Sequence, residues 1–189
     1  IIALGLVLFL PALSVVLSLM LPIEEHDSVG YVHTARLIFE ERTLENYPYV
    51  TPAADGFYGP WTHPPGYVGL LLWSNLLQNH AEHMGSGRFW TPIFLLLSCL
   101  IILTRWWRYN DKLALWGAAL WVGTPVIFSL AIRGHVDLLR LFVLTTALNI
   151  SFFIVQSQKW RNYVVLGIIL GLGFYCHILE LISIGLISG

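Results

Sequence analysis

From Ile1 to Pro22 the chain carries no charged side chain. A helix that crosses the hydrocarbon core of a bilayer needs about 20 predominantly apolar residues, with a range of about 17–25. The stretch meets that requirement, and its character recurs at Phe89–Trp106, Leu113–Ile132, residues 136–155 and Tyr163–Ser188. Charged residues make up 11% of the sequence, against about 25% in an ordinary soluble domain. With 57% hydrophobic residues and a mean hydropathy of +0.72, the chain cannot cover a water-facing surface. The expected class is an all-α polytopic membrane protein with about five transmembrane helices. The first apolar run has no cleavage-site pattern before its polar flank, so it reads as an anchor rather than a signal peptide. There is no initiator Met and the sequence stops inside an apolar run, so it reads as a fragment of a longer protein.

These spans divide the chain into a first span (1–22), a long loop (23–88) and four further spans (89–189). Within the loop, Gly66–Gln78 is apolar but too short to cross, in the length class of interfacial and re-entrant helices. Ser74, Asn75 and Gln78 place polar groups on one side of it, as a helix lying on a membrane surface would. The preceding Pro64 and Pro65 suit a helix N-terminus, where a missing N–H costs nothing. Trp61 and Tyr67 flank the elbow with the amphipathic rings common at membrane interfaces.

The positive-inside rule orients the chain. With five spans and an inward N-terminus, Arg105, Arg108, Lys112, Lys159 and Arg161 all fall in cytoplasmic loops, and the 23–88 loop lies outside. Six spans with an outward N-terminus satisfy the rule equally, so charge leaves the parity open and segment length favours five.

Ionisable groups within spans are expensive and point to function. Arg133, Asp137 and Arg140 recur at helical spacing at the outer end of the third and fourth spans. Glu180 lies about 28 Å along a helix from Arg161, near the outer surface, with His177 one turn below it. Glu24, Glu25, His26 and Asp27 leave the first span at the same level. Each group has a plainer explanation: a self-neutralising helix cluster, an interhelical hydrogen bond, a solvated cap. Their shared depth points to a site on the outer boundary.

Other motifs carry less. His80, Glu82 and His83 lack the spacing of a zinc helix and read as a solvated loop. Cys99 and Cys176 sit in apolar runs as small hydrophobes, without a disulfide framework. Gly167 and Gly171 read as a helix-packing pair.

Taken in order, the motifs resemble a known family. An anchor span leads to "HDSVGYVHTAR", then "HPPGY" opens an apolar helix, Arg88 precedes the next span, and a basic turn follows. Thr124-Pro125 comes in the third span and Asp137 opens the fourth. This order is similar to the N-terminal part of the polyprenyl-phosphate-dependent glycosyltransferases of the C superfamily. The nearest members are the protein O-mannosyltransferases, the aminoarabinose transferases of lipid A and the bacterial dolichyl-phosphate-mannose-type transferases.

The resemblance implies the glycosyltransferase C-type fold, with juxtamembrane helices in the first outer loop and an "HPP" helix along the membrane surface, which favours five spans. It matches Asp27 to the family's loop aspartate and Tyr31 to the tyrosine four residues on. Ser28 stands where glutamate is usual, and His177 where the fifth span usually carries lysine. The implied reaction moves a sugar, with inversion, from a polyprenyl phosphate to a hydroxyl of a lipid, glycan or protein acceptor on the outer or luminal face of the plasma membrane or endoplasmic reticulum. Asp27 is the candidate general base. Substrate-binding candidates are His63 for sugar or phosphate, Arg88 and Arg133 for phosphate with His135 behind them, and Asp137 to orient Arg133 or touch the sugar; Glu25, Tyr31 and His177 complete the set. No cofactor is assigned with certainty and no metal ligand is assigned, with a divalent ion at Glu25 and Asp27 left open. The expected partners are the lipid-linked donor, the acceptor and the bilayer, and not nucleic acid. A polytopic transporter or channel with a charged outer gate is the alternative. It calls for internal repeats, which the sequence lacks, and for broken helices near the midplane.

Overall fold

The computed structural model describes residues 1–21, 26–43, 52–53, 56–57, 65–81 and 89–176. Those residues form eight helices: α1 (Ile2–Met20), α2 (His26–Glu41), α3 (Pro65–Gln78), α4 (Trp90–Trp106), α5 (Asp111–Gly123), α6 (Pro125–Arg133), α7 (Asp137–Ser157) and α8 (Trp160–Cys176). A two-residue antiparallel pair, Pro52–Ala53 with Gly56–Phe57, is the one departure from an all-helical fold among them.

The helices are packed inside out relative to a soluble protein. The buried stripe of α1 is Ala3, Val7, Pro11, Ser14 and Ser18, and that of α5 is Ala114, Ala118, Ala119 and Val122. Small residues let helix backbones approach closely where no hydrophobic effect drives them together, as in lipid. The buried serines are satisfied within their own helix, Ser14 Oγ donating to Pro11 O at 2.7 Å and Ser18 Oγ to Val15 O at 2.9 Å. Many large apolar residues point outward instead: Leu8, Phe9, Leu120, Val126 and Val155 are all more than 60% exposed. In water, apolar surface on this scale marks an interaction site or an aggregation liability; against acyl chains it is at rest. This is an all-α polytopic membrane fold.

Helices α1 and α7 are long and apolar enough to cross a bilayer, and α5 with α6 makes a third candidate if the bent pair counts as one span. Helices α4 and α8 are apolar at 17 residues each, at the short end of the crossing range. The expected continuous span over Leu113–Ile132 is broken. Helices α5 and α6 meet at 58° because Pro125 has no N–H to continue the ladder and disfavours the helical region for the residue before it. Thr124 is extended accordingly (φ −65°, ψ 118°), and its N–H turns to Trp121 O at 3.3 Å.

Helix α3 is short, as expected, and Gln78 is exposed, but the other two residues of its polar face turn inward. Ser74 and Asn75 are buried against protein, whereas Trp73, Leu76 and Leu77 are exposed. The Trp90 indole N–H donates to Ser74 Oγ, so the polar side chain serves helix packing rather than water. The Gly167/Gly171 pair does not pack either: a Cβ at either position would meet nothing within 4 Å among the described residues.

Candidate active site

Four segments meet at the first turn of α3. Tyr67, 1% exposed, donates its phenol to Gly134 O at 3.0 Å, fixing α3 to the turn between α6 and α7. Its ring meets Tyr31 of α2 edge-on, with centroids 5.3 Å apart and planes at 83°. Burial, followed by the neighbouring Tyr31, pushes the Tyr67 phenol well above the ordinary tyrosine range, so it stays a neutral donor. Next to it, Gly66 packs against the end of α8. A Cβ there would lie 2.6 Å from Cys176 Sγ, and 3.0 Å from both Cys176 Cα and Tyr175 O.

Helix α4 enters the same junction. Thr91 Oγ1, fully buried, donates to Ala131 O at 2.8 Å. Ala131 and Gly134 sit at the C-terminus of α6, where carbonyls lack helical partners. Side chains of α4 and α3 therefore satisfy groups that a span end leaves open. Gly134 itself takes the left-handed conformation (φ 72°) that ends α6 and favours glycine.

The turn so held carries polar groups. His135 Nδ1 lies 3.3 Å from Asp137 Oδ2 and accepts the Asp137 N–H at 3.2 Å. Arg140 reaches Asp137 Oδ1 at 4.0 Å. One ring nitrogen thus has two neighbours: neutral, it accepts the backbone N–H; protonated, it pairs with the carboxylate.

The expected helical face of Arg133, Asp137 and Arg140 does not form, because Gly134 separates Arg133 in α6 from Asp137 in α7. Asp137 therefore orients His135 and Arg140 and not Arg133. Arg133 is exposed and has no ion-pair partner among the described residues. His135 was legible as the residue after a helix-ending glycine, though its pairing was not. Tyr31 lies in the junction, buried. Asp27 is described through its backbone, in the first turn of α2. Glu25, His63, Arg88 and His177 lie outside the described residues, as do Glu82 and His83. No group of three or more His, Cys, Asp or Glu side chains suited to a metal occurs among the described residues.

The family model for dolichyl-phosphate-mannose-protein mannosyltransferases matches residues 62–184, about two thirds of the chain. The chain belongs to this family. Searches of curated proteins and of solved structures return no match. The family makes the chain a membrane glycosyltransferase of the protein-mannosyltransferase type. The match opens on the elbow at Thr62 and takes in His63, Arg88, Arg133, Asp137 and His177, while Glu25, Asp27 and Tyr31 precede it.

Proposed function

We propose that residues 1–189 are the N-terminal part of an inverting glycosyltransferase that moves a sugar from a polyprenyl phosphate to an acceptor hydroxyl at the outer or luminal membrane surface. In this reading the chain crosses the bilayer five times, with α5 and α6 forming one bent span. The observation that carries it is the junction at Tyr67. Tyr31 lies one turn after Asp27, Gly66 three residues after His63, and Thr91 three after Arg88. Gly134 neighbours Arg133 and His135, and Cys176 precedes His177. Each candidate is thus tied by a few residues of chain to a group that the junction holds in contact.

Asp27 takes the acceptor's proton as its oxygen bonds to the anomeric carbon and the bond from that carbon to the phosphate oxygen breaks. A positioned carboxylate contributes typically 10²–10⁴-fold in such a role. The departing phosphate gains negative charge, which Arg133 and Arg88 neutralise; guanidinium suits it through paired donors in a plane. His63 and Asp137 contact the sugar, and His135 and Arg140 hold Asp137. The acceptor is a lipid, glycan or protein.

The bend between α5 and α6 is one of the two features expected of a transporter; the family match weighs for the enzyme. Incubating the full-length protein with polyprenyl-phosphate sugar or with nucleotide sugar separates the readings. Transfer from the lipid donor alone, with the opposite anomeric configuration by NMR, is expected. No transfer from any lipid-linked sugar, or retention of configuration, would overturn it.

A further inference from the structure

The far end of the bundle holds a second polar cleft, one that the transfer reaction does not use. Its α7 wall, Thr146 to Phe153, lies 9 to 16 residues beyond Asp137, about 14–24 Å along the helix from the junction. Its walls are two matching stripes. Ile101, Thr104, Arg105 and Arg108 come from α4 and the turn after it, and Thr146, Asn149, Ile150 and Phe153 from α7. Both run i, i+3, i+4, i+7, the spacing of a single helix face, and they enclose about 320 Å³.

The cleft is cationic and unbalanced. Among the described residues no carboxylate lies within ion-pair distance of Arg105 or Arg108. The nearest acid in sequence, Asp111, accepts the Lys112 N–H at 2.8 Å. The Arg105 guanidinium lies 4.4 Å over the Phe153 ring and 5.4 Å over that of Tyr109, whose phenol it also hydrogen-bonds. Arg105 Nε and Asn149 Oδ1 are buried without hydrogen-bond partners, in the walls of the same cleft. Buried polar atoms are nearly always paired, so two orphans in one cleft call for a missing partner. Tyr109 feels the same field: the hydrogen bond from Gln156, then Arg105 and Arg108, hold its phenol below the ordinary value.

The surroundings identify the partner's other end. Trp106, Trp107 and Tyr109 are exposed around the mouth, as rings are at the headgroup level of a bilayer. Phe152 meets Trp106 edge-on at that mouth, ring centroids 6.0 Å apart, and Leu148 and Leu100 continue the exposed apolar surface along the same helices towards the bundle's middle. A ligand that is anionic at the rim and apolar below is an anionic phospholipid. We propose that the cleft between α4 and α7 binds one, its phosphate on Arg105 and Arg108 and its acyl chains along Leu100 and Phe152. Basic pockets between membrane helices are suited to such headgroups. A headgroup hydroxyl, as in phosphatidylglycerol, supplies the donor that Asn149 Oδ1 lacks.

Native mass spectrometry of the full-length protein tests this with phosphatidylglycerol and chain-matched phosphatidylcholine. One phosphatidylglycerol should be retained preferentially, and inorganic phosphate at millimolar concentration should not displace it. Arg108→Gln, which leaves the ring contacts of Arg105 intact, should weaken the preference about fivefold, and R105Q/R108Q about 25-fold. Equal retention of the two lipids, an unchanged preference in R108Q, or displacement by phosphate alone would overturn the proposal. Glycosyl transfer by R108Q in phosphatidylcholine should match wild type, which separates failure of this site from failure of the catalytic one.

Discussion

Gly66→Ala sets two known effects against each other. Alanine is favoured over glycine in a helix by about 1 kcal/mol, so local propensity alone predicts a more stable α3. The packing predicts the reverse. The new Cβ would stand 2.6 Å from Cys176 Sγ, and 3.0 Å from Cys176 Cα and Tyr175 O, where carbon contacts are ordinarily about 3.5–4.0 Å. The thiol can rotate away, but the two backbone atoms cannot, so α3 must lift from α8. Overpacking of this kind costs about 1–3 kcal/mol, which exceeds the propensity gain over most of its range. Lifting α3 also loosens Tyr67 from Gly134, so the polyprenyl-phosphate-dependent rate should fall about tenfold or more, as small misplacements do. Adding Cys176→Gly relieves the thiol contact and not the backbone ones, so it should restore only part of the loss. The assay is a thermal melt of the full-length protein in detergent, paired with initial transfer rates. A G66A protein that melts higher than wild type and transfers sugar normally would refute the close approach of α3 to α8.

Tyr67→Phe keeps the edge-on contact with Tyr31 and removes the phenol's bond to Gly134 O, at a cost of about 0.5–1.5 kcal/mol; an unchanged melting temperature would contradict it. Tyr67 in the folded protein titrates above its unfolded value near pH 10, so its contribution is complete below about pH 10 and is lost as pH rises further. Alkaline melts should therefore fall more steeply for wild type than for Y67F. Thr91→Val removes the donor to Ala131 O and should cost about 1–2 kcal/mol, measurable in the same melts. In a background with Cys99 and Cys176 replaced, an impermeant maleimide added outside should label a cysteine at Gln78 and spare one at Lys112; the opposite pattern would invert the proposed topology.

The sequence makes the spans and the short α3 helix legible because apolar length is a local property. It does not show which proline breaks a helix. Pro11 stays within a continuous α1, whereas Pro125 ends α5 with a 58° bend. Prolines are tolerated in membrane helices when neighbours re-satisfy the freed carbonyls, and those neighbours are tertiary. The inward turn of Ser74 on α3 has a related cause: with lipid outside, its hydroxyl finds a partner inward, the Trp90 indole. The Tyr67–Gly134 bond joins residues 67 positions apart, and nothing in either local sequence signals it. Gly66, read as the first residue of the short helix, gives no sign of its close packing until Cys176 is seen against it. Spacing placed Arg133 and Asp137 on one face only by assuming an unbroken helix; Gly134 in between was the clue against it.

The most direct test of the central claim is the rate of sugar transfer from a polyprenyl phosphate by Asp27→Asn full-length protein in proteoliposomes. Asparagine preserves size and cannot accept the acceptor's proton. With melting unchanged, the account predicts a loss of about 10²–10⁴-fold in kcat. A D27N enzyme that transfers sugar at the wild-type rate would contradict it.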